Sequence, residues 1–329
     1  MKKSLFITSI IAVFCWSLNI SAFAVNDDKP KKISVYINQT TDHPALDTTT
    51  KGIIAALANS GYKANDNLDL RIESAQGMAT LSQQIANKFV GQAPTIVVGV
   101  GTVAAQSFIK YAKLGQIKMV FSTVTDPLGA GLVNDLQKPG GNISGVSNFV
   151  QLEPQLELFK KLLPSLKKLG ILYNPGEANS VSIVQKLEKL CPKFDLILIK
   201  QTASKTADVA QSATKLAESS EAIFISNDNT ALSAMQSIIK AANEATIPVF
   251  VSDTDAIGSG AVAALGPNQY QVGWQTGKMI VRIAQDSDNA LPAVEFPEST
   301  ELYLDLNAAK KLGINVSQDI IKQAAKIIE

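Results

Sequence analysis

Short polar and acidic side chains recur in this sequence where apolar runs end. Asn38-Gln39-Thr40-Thr41-Asp42-His43 follows one such run, Gly99-Val100-Gly101-Thr102 a second, and Ser122-Thr123-Val124-Thr125-Asp126 a third. In the second half the equivalents are Asn174-Pro175 with Asn179-Ser180, then Ser226-Asn227-Asp228-Asn229 and Ser252-Asp253-Thr254-Asp255. Any single one of these residues also serves as an ordinary helix N-cap, its side chain satisfying an amide of the first turn. Their recurrence points further. Amides at a helix amino end, helped by a hydroxyl, suit a carboxylate, and a fixed aspartate suits an ammonium. Loops of this kind converging on one cleft describe a site for a small zwitterion.

Catalytic groupings are scarce. His43 is the single histidine, no G-x-S-x-G elbow is present, and one histidine with two cysteines makes no zinc cluster. Asp228 and Asp253 can do acid–base work in principle, but no nucleophile stands beside either. Gly99-Val100-Gly101-Thr102-Val103-Ala104 fits a loose dinucleotide fingerprint. It follows a later strand instead of the first, and it lacks the acidic residue expected about 20 positions on. Its glycines instead permit close approach of the backbone to a ligand. No catalytic residue, metal or cofactor is therefore expected. An exported hydrolase using cleft carboxylates is the enzyme alternative, and a different small polar solute is the alternative ligand.

The elements that must position these loops alternate in a simple rhythm. Strands are expected at 33–38, 68–75, 95–100 and 119–124, with helices at 45–60, 78–90 and 103–113 between them, each carrying apolar residues at three- and four-residue spacing. The rhythm pauses at Lys138-Pro139-Gly140-Gly141-Asn142 and resumes after an extended piece at 143–148. Strands follow at 168–173, 195–201, 222–226, 248–252 and 261–265, with helices at 153–161, 180–190, 207–219 and 230–245. The remainder offers a strong helix at 270–284, an extended stretch at 301–306 and a short tail. The economical reading is an α/β fold of two doubly wound parallel-sheet lobes. Residues 30–148 with 268–299 form one lobe, and 149–267 with 300–329 form the other. Ligands in such sheets sit at the carboxyl ends of the strands, where the polar loops fall.

Composition narrows the function. Thirty basic and 29 acidic residues leave a net charge of +1, which removes the electrostatic footprint of a nucleic-acid binder. Lys2 and Lys3 precede an apolar run from Leu5 to Leu18 and the small-x-small triplet Ala22-Phe23-Ala24, a pattern for export with cleavage after Ala24. The run is shorter than the roughly 18 to 20 residues that span hydrocarbon, so stable membrane insertion is not expected. Cys15 follows Val13 and Phe14, where a lipid-attachment site wants a small residue, and the mature chain keeps only Cys191. It therefore makes no internal disulfide and relies on burial for stability.

Several strings together resemble a known family. His43-Pro44-Ala45-Leu46-Asp47, Ser122 to Gly131, Pro139 to Ser147, Leu172 to Ser180, Ser226 to Asn229, Ile247 to Asp253, Gly260 to Gly266, Tyr270 to Lys278 and Asn307 to Ile314 resemble the tryptophan/tyrosine-type substrate-binding proteins of ABC importers. The resemblance covers nearly the whole mature chain. It implies a type I periplasmic-binding fold whose lobes are joined by a three-segment hinge near Asn148, Pro267 and Thr300. It also implies a periplasmic protein that captures an amino acid, aromatic in the characterised relatives, and delivers it to an importer permease without catalysis. Two departures touch the cleft: Asp42 stands before His43 where glutamate is expected, and Pro267-Asn268-Gln269 follows Gly266. Carried over by position, the resemblance makes Thr102, Ser122, Thr125 and Asp126 contacts from the first lobe. From the second lobe it makes contacts of Asn174, Asn179, Ser180, Asn227, Asp228 and Asp253. Gln39, Thr41, His43 and Leu46 around the first loop, Gly101, and Asn148 at the first crossing complete the expected ligand-binding set. A cytosolic sugar-type repressor shares this fold, but a helix-turn-helix headpiece is missing and an export signal is present.

Overall fold

The structure, a computed structural model, describes residues 30–286 and 291–329. The expected export segment and its cleavage site lie outside the described residues. The first series runs β1 (Ile33–Gln39), α1 (Pro44–Asn59), β2 (Leu68–Ser74), α2 (Ala79–Val90), β3 (Ile96–Val100), α3 (Thr102–Lys113), β4 (Lys118–Ser122) and β5 (Ile143–Val146). These strands form one five-stranded sheet in the order β2-β1-β3-β4-β5, and every neighbouring pair is parallel. β3 reads Ile-Val-Val-Gly-Val with all five residues buried, as a strand covered by helices on both faces requires.

The second series begins with α4 (Leu152–Leu162), β6 (Lys168–Tyr173), α5 (Ala178–Leu190), β7 (Ile197–Thr202), α6 (Val209–Ser219) and β8 (Ala222–Ile225). It continues through α7 (Asn229–Ser233), α8 (Met235–Glu244), β9 (Val249–Val251) and β10 (Ala263–Gly266), then α9 (Gln269–Gln285) and β11 (Glu301–Asp305). α10 (Leu306–Lys311), α11 (Gln318–Gln323) and β12 (Lys326–Ile328) close the chain. Seven strands form the second sheet, ordered β12-β11-β10-β9-β8-β6-β7, with the β10–β11 pair antiparallel. Phe159 stacks on Phe250 at a centroid distance of 4.4 Å and tilts against Phe224 in the core beside this sheet.

This is the two-lobed, doubly wound α/β architecture expected from the alternating pattern. The chain passes from the first sheet to the second after β5, returns after β10, and goes back before β11. On its return α9 lies against α1, and the contact is close because glycines face it. A Cβ on Gly273 would collide with the Thr49 carbonyl, and one on Gly52 with the Tyr270 carbonyl. Two of the crossing segments run side by side, the Ser147 amide donating to the Glu295 carbonyl at 2.9 Å.

Two details differ from the sequence reading. The single helix expected over 230–245 is broken at Ala234 into α7 and α8, because the first turn is anchored separately by Asp228, whose carboxylate caps the Ala231 amide. The short tail contains α10, α11 and β12, the last pairing in parallel with β11 as the edge of the sheet. Its run of two isoleucines was too short to read as a strand.

Candidate functional site

The carboxyl ends of β1, β3, β4, β6, β8 and β9 meet at the junction of the lobes. Between them lies a narrow chamber of about 20 Å³ lined by Leu46, Thr102, Thr123 and Gln269 from one side, and by Asn179, Asn227, Asn229 and Leu232 from the other, with His43, Ala45, Asn148 and Asp253 completing the wall. That volume is about what a single water molecule needs, so the wall residues lie close together and admit a solute only as the lobes part.

Local geometry explains how each wall residue reaches the chamber. Gly101 takes φ +86° between β3 and α3, and a Cβ there would meet the Thr40 hydroxyl at 2.6 Å. The turn delivers Thr102 as the first residue of α3, so its side chain stands at the positive end of the helix. Thr123 takes φ +54° just after β4, a conformation uncommon for a threonine and of the kind that gathers at functional sites. Across the chamber, Asn179 enters on the first turn of α5 and donates through Nδ2 to the Asn227 carbonyl at 2.6 Å.

Two polar atoms on this wall stand out. Thr102 Oγ1 and Asn179 Oδ1 are buried and have no hydrogen-bond partner among the described residues. A buried polar atom left unpaired costs about 1 to 3 kcal/mol, so each is poised for a partner entering the chamber. The two face it from opposite lobes. Asn179 Oδ1 can only accept, and the Thr102 hydroxyl can donate.

Asp253 supplies charge at the same wall. It is 2% exposed, receives the Asp255 amide at 3.1 Å, and pairs with no cation among the described residues. Burial, reinforced by the nearby Asp255 carboxylate, pushes it up to about 7. A cation against Asp253 removes this penalty. His43 is held below its ordinary value by burial, and its imidazole spans the cleft to Asn229 at 3.2 Å.

The expected site residues divide into two groups. His43, Leu46, Thr102, Asn148, Asn179, Asn227 and Asp253 line the chamber. The others shape the loops behind it. Gln39 is consumed locally, donating to the Thr41 carbonyl at 2.9 Å and to Asp47 at 2.8 Å while accepting from Thr50 at 2.7 Å. Ser122 bonds Thr276 of α9 at 2.7 Å, and Thr125 donates to Asn148 at 3.1 Å. Gly101 acts through its turn.

Asp228 is the main correction. It was expected to face a ligand ammonium, but its oxygens accept the Asn174 amide at 2.7 Å, the Ala231 amide at 2.6 Å and the Ser180 hydroxyl. Asn174 and Ser180 are thereby its partners inside the second lobe. Burial, with the charge of Glu177 nearby, holds Asp228 above the usual carboxylate range. Asp126 is likewise used elsewhere: it accepts from Ser182 and lies 3.6 Å from Lys186, both on α5, joining the lobes beside a separate groove.

Sequence reasoning missed Ala45, Thr123, Asn229, Leu232 and Gln269 on the wall, and Glu177 behind it. Glu177 is buried and accepts from Asn229 at 2.6 Å and from the Thr230 hydroxyl at 2.8 Å. It stands in the quoted string Leu172 to Ser180, yet nothing local distinguishes it from a solvated glutamate. A larger groove follows α9 past Trp274 and Arg282, but Arg282 is paired with Glu295 and no orphaned buried atom lines it. Among the described residues no cluster of His, Cys, Asp and Glu has the makings of a metal site, and no helix is long and apolar enough to cross a membrane.

Comparison with known proteins places this geometry in context. Residues 34–328 match the family described as ABC transporter substrate binding protein. A tyrosine-binding protein from Clostridioides difficile is 32% identical over 296 residues, covering 90% of this chain and 85% of its own. The structure superposes with TM-score 0.87 on an ABC domain from Streptococcus pneumonia in complex with L-Trp, at 30% identity and covering 91% of this chain and 100% of that one. It superposes with TM-score 0.67 on the ligand-free, open structure of a substrate-binding protein with adhesive properties from Clostridium difficile, again at 30% identity, covering 90% and 99%. At equal identity, the structure fits the L-Trp-bound relative more closely than the ligand-free, open one.

Proposed function

This chain belongs to the family of ABC transporter substrate-binding proteins, and on that footing we propose that it is exported to the periplasm, captures an aromatic amino acid between its lobes and presents it to an importer permease. It is a binding protein and not an enzyme. The observation that carries the ligand class is the pair of orphaned buried atoms, Thr102 Oγ1 and Asn179 Oδ1, facing a chamber that also holds the unpaired Asp253 carboxylate. Asn179 and Asp253 accept from an ammonium. The Thr102 hydroxyl and the amino end of α3 receive a carboxylate. A free α-amino acid carries both groups on adjacent carbons. The aromatic side chain rests on the relatives, one a tyrosine-binding protein and one bound to L-Trp.

Because each lobe provides part of the site, ligand favours the closed state through its differential affinity for the two arrangements. Closure then gives the permease a surface that distinguishes loaded from empty protein. A thermal-shift panel of all amino acids on unfolded and refolded protein tests the reading. A ligand at about 100 times its dissociation constant adds about 2.7 kcal/mol of stability. Stabilisation by tyrosine or tryptophan is the expected result, and a panel in which no amino acid stabilises the protein overturns it.

A further inference from the structure

The chamber is not closed on every side. A second space of about 420 Å³ adjoins it, and four residues, His43, Ala45, Leu232 and Asp253, line both. This annexe lies between the start of α1 and the corner where α7 gives way to α8. Its floor is apolar, made by Pro44, Ala45, Leu232, Met235 and Ala256, and its rim carries the exposed Ser233 and Gln236.

The annexe is the more apolar of the two, although Thr206, Ser237, Asp255 and Ser259 also line it. The chamber is walled mainly by amide and hydroxyl groups, and its apolar residues are Ala45, Leu46 and Leu232. An aromatic side chain folded into it would leave Thr102 Oγ1 and Asn179 Oδ1 buried against carbon without hydrogen bonds. The chamber therefore suits the zwitterionic end of an amino acid. Asp253 sits at the boundary, so an ammonium held there directs the remaining substituent on the α-carbon outward. Ala45 and Leu232 stand on the wall that the two spaces share. α7, which carries Leu232, is held in place by the Asp228 cap and by Glu177, which accepts from the Asn229 and Thr230 amides at 3.0 Å each.

We propose that the ligand's side chain leaves the chamber between Ala45 and Leu232 and occupies the annexe, so that the protein takes α-amino acids with large side chains and tolerates extension at the side chain's far end. This rests on the amino-acid reading above and adds its direction and its reach. Selectivity then lies in the apolar floor, and the open rim sets no sharp upper limit on length.

Calorimetric titration of refolded protein with L-tyrosine, L-tryptophan and O-benzyl-L-tyrosine tests it, alongside the variant Ser233→Trp. Ser233 is exposed on the rim and lines the annexe but not the chamber, so the substitution partly fills the annexe without disturbing the core. O-benzyl-L-tyrosine is expected to bind within tenfold of L-tyrosine, and Ser233→Trp to weaken it at least tenfold more than it weakens L-tyrosine. If L-tyrosine or L-tryptophan binds while O-benzyl-L-tyrosine is weaker by more than tenfold, the annexe is overturned and the amino-acid reading stands. Equal effects of Ser233→Trp on both tyrosine compounds also overturn the assigned path. If none of the three binds, the amino-acid reading fails and takes the annexe with it.

Discussion

His43 on the first lobe and Asn229 on the second are joined across the cleft by a hydrogen bond of 3.2 Å. Asn229 Nδ2 is already committed to Glu177 at 2.6 Å, which leaves Oδ1 as the acceptor and makes His43 Nε2 the donor. The imidazole is thus the neutral Nε2–H tautomer, and burial holds its pKa below the ordinary 6.5. Since burial in the fold depresses this pKa below 6.5, the contribution of His43 to stability is fully present above about 6.5 and diminishes as pH falls below that value. His43 is the single histidine of the chain, so nitrogen NMR of loaded protein reads it without ambiguity. A bare Nδ1 at neutral pH and a titration midpoint below 6.5 are expected; a protonated Nδ1 would contradict the bond.

Asp253→Asn is expected to act in opposite directions on stability and binding. The carboxylate is buried, and its folded-state pKa is raised from 3.8 to about 7. Its favourable contribution is therefore present at low pH and is lost as pH rises through about 7. At pH 8 the asparagine relieves an unpaired buried charge, and the unliganded variant gains about 1 to 4 kcal/mol, each unit of pKa displacement being worth about 1.4 kcal/mol. The penalty builds from the unfolded value of 3.8 upward, so the two proteins converge only near pH 4. Ligand binding weakens by about 2 to 5 kcal/mol, because the ammonium loses its charged partner. Denaturant melts at both pH values and calorimetry separate the effects; unchanged affinity removes Asp253 from the site.

Asp228→Asn, by contrast, is expected to reduce stability first. An amide offers one acceptor where the carboxylate uses both oxygens for Asn174, Ser180 and Ala231, so the cost is about 1 to 3 kcal/mol in a denaturant titration. A variant as stable as the parent but unable to bind ligand would restore Asp228 to the chamber wall.

Asp126→Ala is expected to loosen closure. Although burial pushes the Asp126 carboxyl upward, the Ser182 hydroxyl, the Gly129 amide and Lys186 outweigh it and hold the group below the ordinary carboxylate value. Lys186 also lies over the Phe149 ring at 4.2 Å. Small-angle scattering of the parent should show a smaller radius of gyration with saturating ligand than without, and the variant should need more ligand to reach it. An unchanged profile in the parent despite confirmed binding would locate the signal to the permease elsewhere.

Export makes a simple prediction: periplasmic protein should begin at Val25 and carry no acyl group. Intact-mass measurement of the secreted form checks it, and a mature chain retaining residues 1–24 refutes it.

Much of the fold was legible because strand and helix periodicity is local: the buried Ile-Val-Val-Gly-Val run of β3 and the Gly101 turn declare themselves within a few residues. The break between α7 and α8 was not legible, since it depends on Asp228 and Glu177, and Glu177 arrives from a loop 52 residues away from Asn229. The candidate site divides on the same line. Sequence alone determined which side chains gather at the strand ends, because in a parallel sheet every loop after a strand falls on one side. Whether a given Asp, Asn or Ser in those loops faces the cleft or caps its own helix was decided only by tertiary structure. Asp228 and Asp253 occupy like positions after neighbouring strands, yet one finds three donors within its lobe and the other finds a single amide and no cation. The difference lies in what the second lobe and its helices bring within hydrogen-bond reach, and a charge takes its role from the partners that folding places beside it.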